Sequence, residues 1–278
     1  MRRVTAIGMT NAYHPRALSL VIVLAAGVFT AAPALAEDRE FCANRPGLDT
    51  PPCTMAPGTV MAEVGLAGIQ HSSDGGASSD VLTAADLALR VGIAQSAELE
   101  LGVTGFVRDR ETDASGQRST TSGVGDSFVA IRRGLAGPNG PVAIQVYATL
   151  PTGKAGVGAG DWGAGVLLPM QFDIGHGFSL ALTPEVDAAV NSSGNGRHLA
   201  YGSAGGLSHP LTKALTLTGE LAAFRDNDPG GHATQVTAAG SLAWQVADDW
   251  QLDLEGDAGL NHNTPDYAIM IGVARRIR

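Results

Sequence analysis

From Thr59 to the C-terminus, apolar and polar residues alternate over stretches of strand length about a dozen times in succession. The clearest stretch follows Trp250: Leu252, Leu254, Gly256, Ala258 and Leu260 fall between Gln251, Asp253, Glu255, Asp257 and Asn261. Successive side chains of a strand point to opposite faces, so one face here is apolar and the other carries carboxylates. A soluble sandwich would turn the apolar face inward and fill its core with large side chains. This face is a mixture of Leu, Val, Ala and Gly, and only 5% of the chain is aromatic. The pattern predicts an all-β fold, a transmembrane antiparallel β-barrel with its apolar face toward lipid.

Breaks rich in Gly, Pro, Asn and Ser divide the pattern into strands at 59–70, 80–92, 97–108, 123–135, 141–150, 162–174, 178–191, 198–209, 214–225, 232–246, 250–261 and 267–278. Most reach the ~9–11 residues that a tilted spanning strand needs. An even count puts both termini on one side. Short turns alternate with longer polar connections at 72–79, 109–122, 151–161, 192–197, 226–231 and 262–266, as in barrels with periplasmic turns and outer loops. Closure removes the exposed sheet edges.

The ends of the chain fit an exported protein. Arg2, Arg3 and Arg16 precede the apolar run Leu18 to Phe29, and Ala34-Leu35-Ala36 supplies a small-residue cleavage pattern, so residues 1–36 are expected to be a signal peptide. Residues 37–58, rich in Pro, Gly and Thr, are expected to be an irregular periplasmic arm before a barrel over 59–278. Its two cysteines, Cys42 and Cys53, would be joined in an oxidising compartment. The loop they close is expected to act as a plug or gate. All 27 acidic residues lie beyond the signal, which takes three of the 18 basic ones and leaves a formal charge of −12. Nucleic acid is therefore excluded as an expected partner.

The segments Asn44-Arg45-Pro46-Gly47-Leu48-Asp49-Thr50 and Met55-Ala56-Pro57-Gly58-Thr59 precede the first strand, and Gly123-Val124-Gly125-Asp126 opens the fourth. Leu150-Pro151-Thr152-Gly153 closes the fifth, and Gly259 to Tyr267 links the last two. In order and spacing these segments resemble the MetA-pathway of phenol degradation family, a group of outer-membrane transporters. The resemblance implies passage of small hydrophobic or aromatic compounds through the outer membrane of a Gram-negative bacterium. Outer-membrane lipid, a small-molecule solute and the barrel-assembly machinery are the implied partners. Such barrels usually end on an aromatic residue, whereas this chain ends Ala274-Arg275-Arg276-Ile277-Arg278.

With the Leu and Val positions outward, the inward set includes Asp86, Arg90, Glu98, Glu100, Asp126, Arg132, Gln145, Tyr147, Glu185, Asp187, Glu220, Gln235, Asp253, Glu255 and Asp257. Two readings stand side by side: an acidic pore that favours cations, or a packed network of paired charges that fills the barrel. Gly158-Ala159-Gly160-Asp161-Trp162-Gly163 matches a nucleotide-binding turn, but Gly165 and Pro169 prevent the helix such a turn must open. The segment 191–197 loosely resembles the serine stretch of outer-membrane phospholipases, but Val190 or Asn191 stands two before each serine where that stretch has His, although His198 and His209 lie elsewhere on the strand at 198–209. A polar loop is the plainer reading of it. No catalytic, metal or cofactor residue is assigned. Trp162, Trp244, Trp250, Phe178 and Tyr267 fall near strand ends, as interfacial girdles do.

Overall fold

The computed structural model describes residues 39–277; the expected signal at 1–36, together with 37, 38 and 278, lies outside the described residues. The elements are β1 (Val60–Asp74), β2 (Ala77–Ala94), β3 (Ala97–Thr112), β4 (Arg118–Gly123), β5 (Ser127–Gly134), β6 (Ala143–Leu150) and β7 (Gly163–Leu167), then β8 (Met170–Gly175), β9 (Phe178–Val190), β10 (Arg197–Pro210), β11 (Leu215–Asp226), β12 (Ala233–Ala247), β13 (Trp250–Gly259) and β14 (Tyr267–Ile277). Both β4 and β5 pair with β3, and both β7 and β8 pair with β9, so each couple is one interrupted barrel strand. β14 pairs antiparallel with β1, Ile277 opposite Val60 and Tyr267 opposite His71. The result is a closed barrel of twelve antiparallel strands.

Burial is inverted relative to a soluble protein. Leu89, Leu101, Ile131, Val186, Leu221 and Ile269 are among the most exposed large side chains, while Arg90, Arg132, Glu63, Glu98 and Glu100 are among the most buried. An outer surface of this kind is stable only against hydrocarbon, where closure satisfies every ladder amide. Trp250 and Phe178 begin strands at one rim, and Tyr267 begins β14 at the other. Arg275 lies over the Trp250 ring, its guanidinium carbon 4.7 Å from the centroid. Outward Arg275 and Ile277 thus occupy the terminal positions where an aromatic was expected.

One irregularity redirects side chains. On β3, Glu98, Glu100 and Thr104 face inward, yet Phe106 is exposed and Val107 is 8% exposed. The face switches at Gly105, opposite Ala85, which has φ +52°. On β1 the register against β14 slips between Gly65 and Ala67. In the next strand the same line coincides with the break at 124–126 between β4 and β5. A bulge line thus runs from the slip on β1 past Ala85 on β2 and Gly105 on β3 to this break, with β1, β2 and β3 in register across it, and the alternation reverses above it.

Two connections expected as loops are not loops. β1 and β2 stay paired through Asp74 and Ala77, leaving only the Gly75-Gly76 turn, and β3 and β4 pair from Val107–Gly123 to Thr112–Arg118. Polar composition marks chain that leaves the membrane, but such chain still satisfies its amides by extending the hairpin.

The arm differs from expectation in place. Residues 39–58 run mainly through the inside of the barrel instead of lying in the periplasm below it. Glycines make room for them: a Cβ on Gly92 would collide with the Ala56 backbone, and one on Gly272 with the Arg45 guanidinium. Cys42 and Cys53 are joined, and with Phe41, Met55, Met61 and Ala274 they form a small apolar cluster at the end where β1 starts.

Candidate functional site: a lumen crossed by its own N-terminal arm

The arm is tied to the wall mainly through its backbone amides. Asn44 N donates to Glu63 (3.0 Å), Gly47 N to Glu255 (2.8 Å), Leu48 N and Asp49 N to one oxygen of Glu220 (2.8 Å each), and Met55 N to Glu98 (2.7 Å). Thr50 N donates to the Thr183 hydroxyl at 3.0 Å. These partners lie on β1, β13, β11, β3 and β9, so the arm spans the lumen from wall to wall. Charge-assisted bonds of this kind are among the stronger hydrogen bonds. Gly47 takes φ +123°, and its Cα faces Glu220 so closely that a side chain there would strike the carboxylate.

Beside the arm lies a dense ion-pair network. Arg90 from β2 meets Glu98 at 2.8 Å and Glu63 at 3.2 Å, and Arg132 from β5 meets Glu100 at 2.9 Å and Glu98 at 3.3 Å. Arg132 also donates to Gln145 (2.7 Å) and to the Asn44 side chain (2.9 Å), and both guanidiniums reach the Cys53 carbonyl at 3.3 Å. Two cations facing three carboxylates leave an excess negative charge, which the amides of Asn44 and Met55 help to offset. Across the lumen, Arg45 of the arm pairs with Asp253 of β13 at 3.1 Å.

Other predicted inward residues lie apart from the arm. Tyr147 donates to Asp187 (2.7 Å) and Glu185 (3.0 Å) on β9. Asp86 accepts from Thr104 at 2.9 Å. Asp257 lies on β13 above Glu255, on the same face. Asp126 binds Gly153 N (2.8 Å) and Ala159 N (2.7 Å), folding the 151–162 loop onto the barrel. Gln235 donates to the Asn263 carbonyl at 3.0 Å in the outer loops. The nucleotide-like glycines belong to the same 151–162 loop, and the chain leaves them directly into β7. Glu63, Thr183 and the polar residues of the arm were missed by strand parity. For Glu63, its alternation with the outward Ala62 and Val64 was a usable signal; for an irregular arm no periodicity exists to read.

The serine segment forms a loop clasp. Ser192 donates its hydroxyl to Asp228 at 3.0 Å, and Ser193 donates to the Asn195 carbonyl at 3.2 Å. His198 meets Asp226 at 2.7 Å and Asn191 at 3.0 Å, with Asp228 at 3.5 Å. Asp228 thus stands between serine and imidazole, an order opposite to that of a nucleophile activated by histidine. Burial raises the Asp228 pKa, but donors from Ser192 and Gly230 and the nearby His198 outweigh it and hold the carboxyl below its ordinary value.

Several solved structures are similar to this one. The COG4313 outer membrane channel from Pseudomonas putida F1 matches over 84% of this chain and 99% of its own at 17% identity, with a TM-score of 0.64. The β domain of the Bordetella autotransporter Brka matches over 80% and 100% at 11% identity, TM-score 0.54. The translocator domain of autotransporter NalP from Neisseria meningitidis matches over 79% and 88% at 13% identity, TM-score 0.51. No curated protein matches the sequence. The likeness is one of fold, that of a Gram-negative outer-membrane barrel. The sequence itself matches a family model over residues 43–277, a span that takes in the wall-tied part of the arm and the whole barrel. The chain belongs to the MetA-pathway of phenol degradation family.

Proposed function

We propose that the protein is an outer-membrane channel for passive uptake of small organic compounds, hydrophobic or aromatic, with residues 39–58 as a tethered plug. The observation that carries this reading is how the arm is attached. Away from the small apolar cluster around Cys42, Cys53 and Met55, its anchors are amide-to-carboxylate hydrogen bonds and an Arg45 ion pair. Such bonds exchange for bonds to water at modest net cost. The stretch held this way, residues 44–50, shifts without opening that cluster. Lumen carboxylates not tied to the arm, Asp86, Glu185, Asp187 and Asp257, together with Tyr147, then bias the path toward cations and polarisable solutes. The family's link to phenol degradation supports an aromatic solute, and the similar channel from Pseudomonas putida F1 supports a conducting barrel.

A second reading is a structural barrel without transport, favoured by the fully buried Arg90, Arg132, Glu98 and Glu100. Planar-bilayer recordings separate the two. The refolded chain is expected to give small cation-preferring steps, and a variant lacking residues 39–56 steps several times larger. Silence from both folded barrels would favour the structural reading. Equal conductance would refute the plug. The solute class is tested by uptake of a labelled aromatic hydrocarbon in cells with and without the protein; equal initial rates would overturn it.

A further inference from the structure

The hairpin of β3 and β4 carries Arg108-Asp109-Arg110-Glu111 and, across the turn, Arg118. Below the bulge line the even-numbered residues of β3 face the lumen; above it they face outward. Arg108 lies opposite Leu82 on β2, Leu82 opposite Ile69 on β1, and Ile69 opposite Ile269 on β14. Ile69 and Ile269 are both 47% exposed on the lipid face. Arg110 shares that face, and on β4 so does Arg118, four residues from Ser122, the partner of Arg108. The acidic residues take the other face, where Asp109 accepts from Ser79 at 2.9 Å and Glu111 from Ser119 at 3.5 Å. The bulges thus sort one alternating run into an outer cationic face and an inner acidic one.

All three guanidiniums are exposed, and among the described residues none has an ion pair or hydrogen bond. Most other arginines here are engaged, including Arg90, Arg132, Arg197 and Arg276. Asp80, opposite Arg110, is instead bonded to His71 at 2.7 Å, and His71 stacks on Tyr267 of the outer aromatic rim. From Arg108, next to the last lipid-facing leucine, the stripe rises past the hairpin over about 13 Å at the usual strand rise. On a chain this acidic, three unpaired arginines just above the hydrocarbon boundary form a local field of the opposite sign.

We propose that the outward stripe Arg108, Arg110 and Arg118 binds the phosphates of outer-leaflet lipopolysaccharide. Guanidinium forks match phosphate oxygens bidentately, and an anionic leaflet supplies them at the height of the stripe. The partner is lipid-borne phosphate, because the stripe continues an apolar face that takes acyl chains.

The test is native mass spectrometry of the full chain in detergent, titrated with lipid A and with dephosphorylated lipid A. Phosphorylated lipid A is expected to bind about tenfold or more tightly than the dephosphorylated form, with affinity falling as salt rises. R108Q/R110Q/R118Q is expected to lose that preference, and the single variant R110Q to weaken it. R133Q, which removes an outward arginine at the opposite rim, is expected to keep it. Unchanged binding by the triple variant, equal binding of both lipids, or equal loss in R133Q would overturn the proposal. Full competition by soluble phosphorylated core oligosaccharide would show a sugar-phosphate site and overturn the lipid assignment.

Discussion

The two halves of the lumen use the same residue types for opposite ends. Near the periplasmic rim, Glu63, Glu98 and Glu100 are buried against Arg90 and Arg132, and the arm's amides take up further carboxylate oxygens. Toward the outer face, Glu185 and Asp187 share the Tyr147 hydroxyl, and among the described residues no Lys or Arg pairs with either. The first half is built like a protein interior and the second like a wetted surface. A carboxylate on an inward strand position therefore says which face it occupies, while its partner decides whether it cements the wall or is left to face the open lumen.

The sharpest way to break this contrast is Arg90→Ala. It leaves Glu98 and Glu63 buried beside a void, and removing one partner of a buried ion pair typically costs about 3–5 kcal/mol. The urea midpoint of the refolded barrel, read from heat-modifiable gel mobility, is expected to fall markedly. Replacing Glu185 by Gln in the open half is expected to move it little, since half-buried groups bordering water lose less. Equal losses would mean that the halves do not differ in kind.

That contrast was only partly legible in the sequence. Period-two alternation placed the closed barrel, because lipid enforces an apolar outer face along every strand. It placed Arg90, Glu98 and Arg132 inward for the same reason. It did not reveal that Glu220 and Glu255 are acceptors for Leu48, Asp49 and Gly47, since an irregular arm has no period. The bulge line was equally hidden: Gly105 and Gly125 hint at it, but only the positive φ of Ala85, between the paired Ala84 and Asp86, shows where the faces reverse so that Arg108 turns outward while Glu98 turns in.

A smaller effect tests the plug alone. The Cys42–Cys53 bond closes a loop of sequence separation 11, and a cross-link of that length restrains the unfolded segment by about 3 kcal/mol in the chain-entropy view. Cys42→Ser with Cys53→Ser is expected to leave the barrel's urea midpoint nearly unchanged and to make single-channel current noisier. Smaller still is Glu220→Gln, which keeps an acceptor for Leu48 and Asp49 but removes its charge, a loss of about 1 kcal/mol. More frequent brief openings without a change in maximal conductance are its expected signature. A quiet trace in both variants would show that the arm is held elsewhere.

The smallest effect belongs to the outer loops and should leave the plug untouched. Asp228 accepts from Ser192 and Gly230 and lies beside His198, so it clasps the 191–196 loop to the 227–232 loop. Its pKa is held below the ordinary carboxylate value. A carboxyl depressed by folding contributes stability that is present above its unfolded pKa of about 4 and is lost as pH falls through the folded value. Proteolytic nicking of these two loops is therefore expected to stay constant from neutral pH down to about 4 and to rise below it. Asp228→Asn is expected to nick faster at neutral pH and to lose that rise. An unchanged rise would assign the acid sensitivity to another group, whereas a matching change in conductance would show that the clasp and the arm are coupled across the lumen.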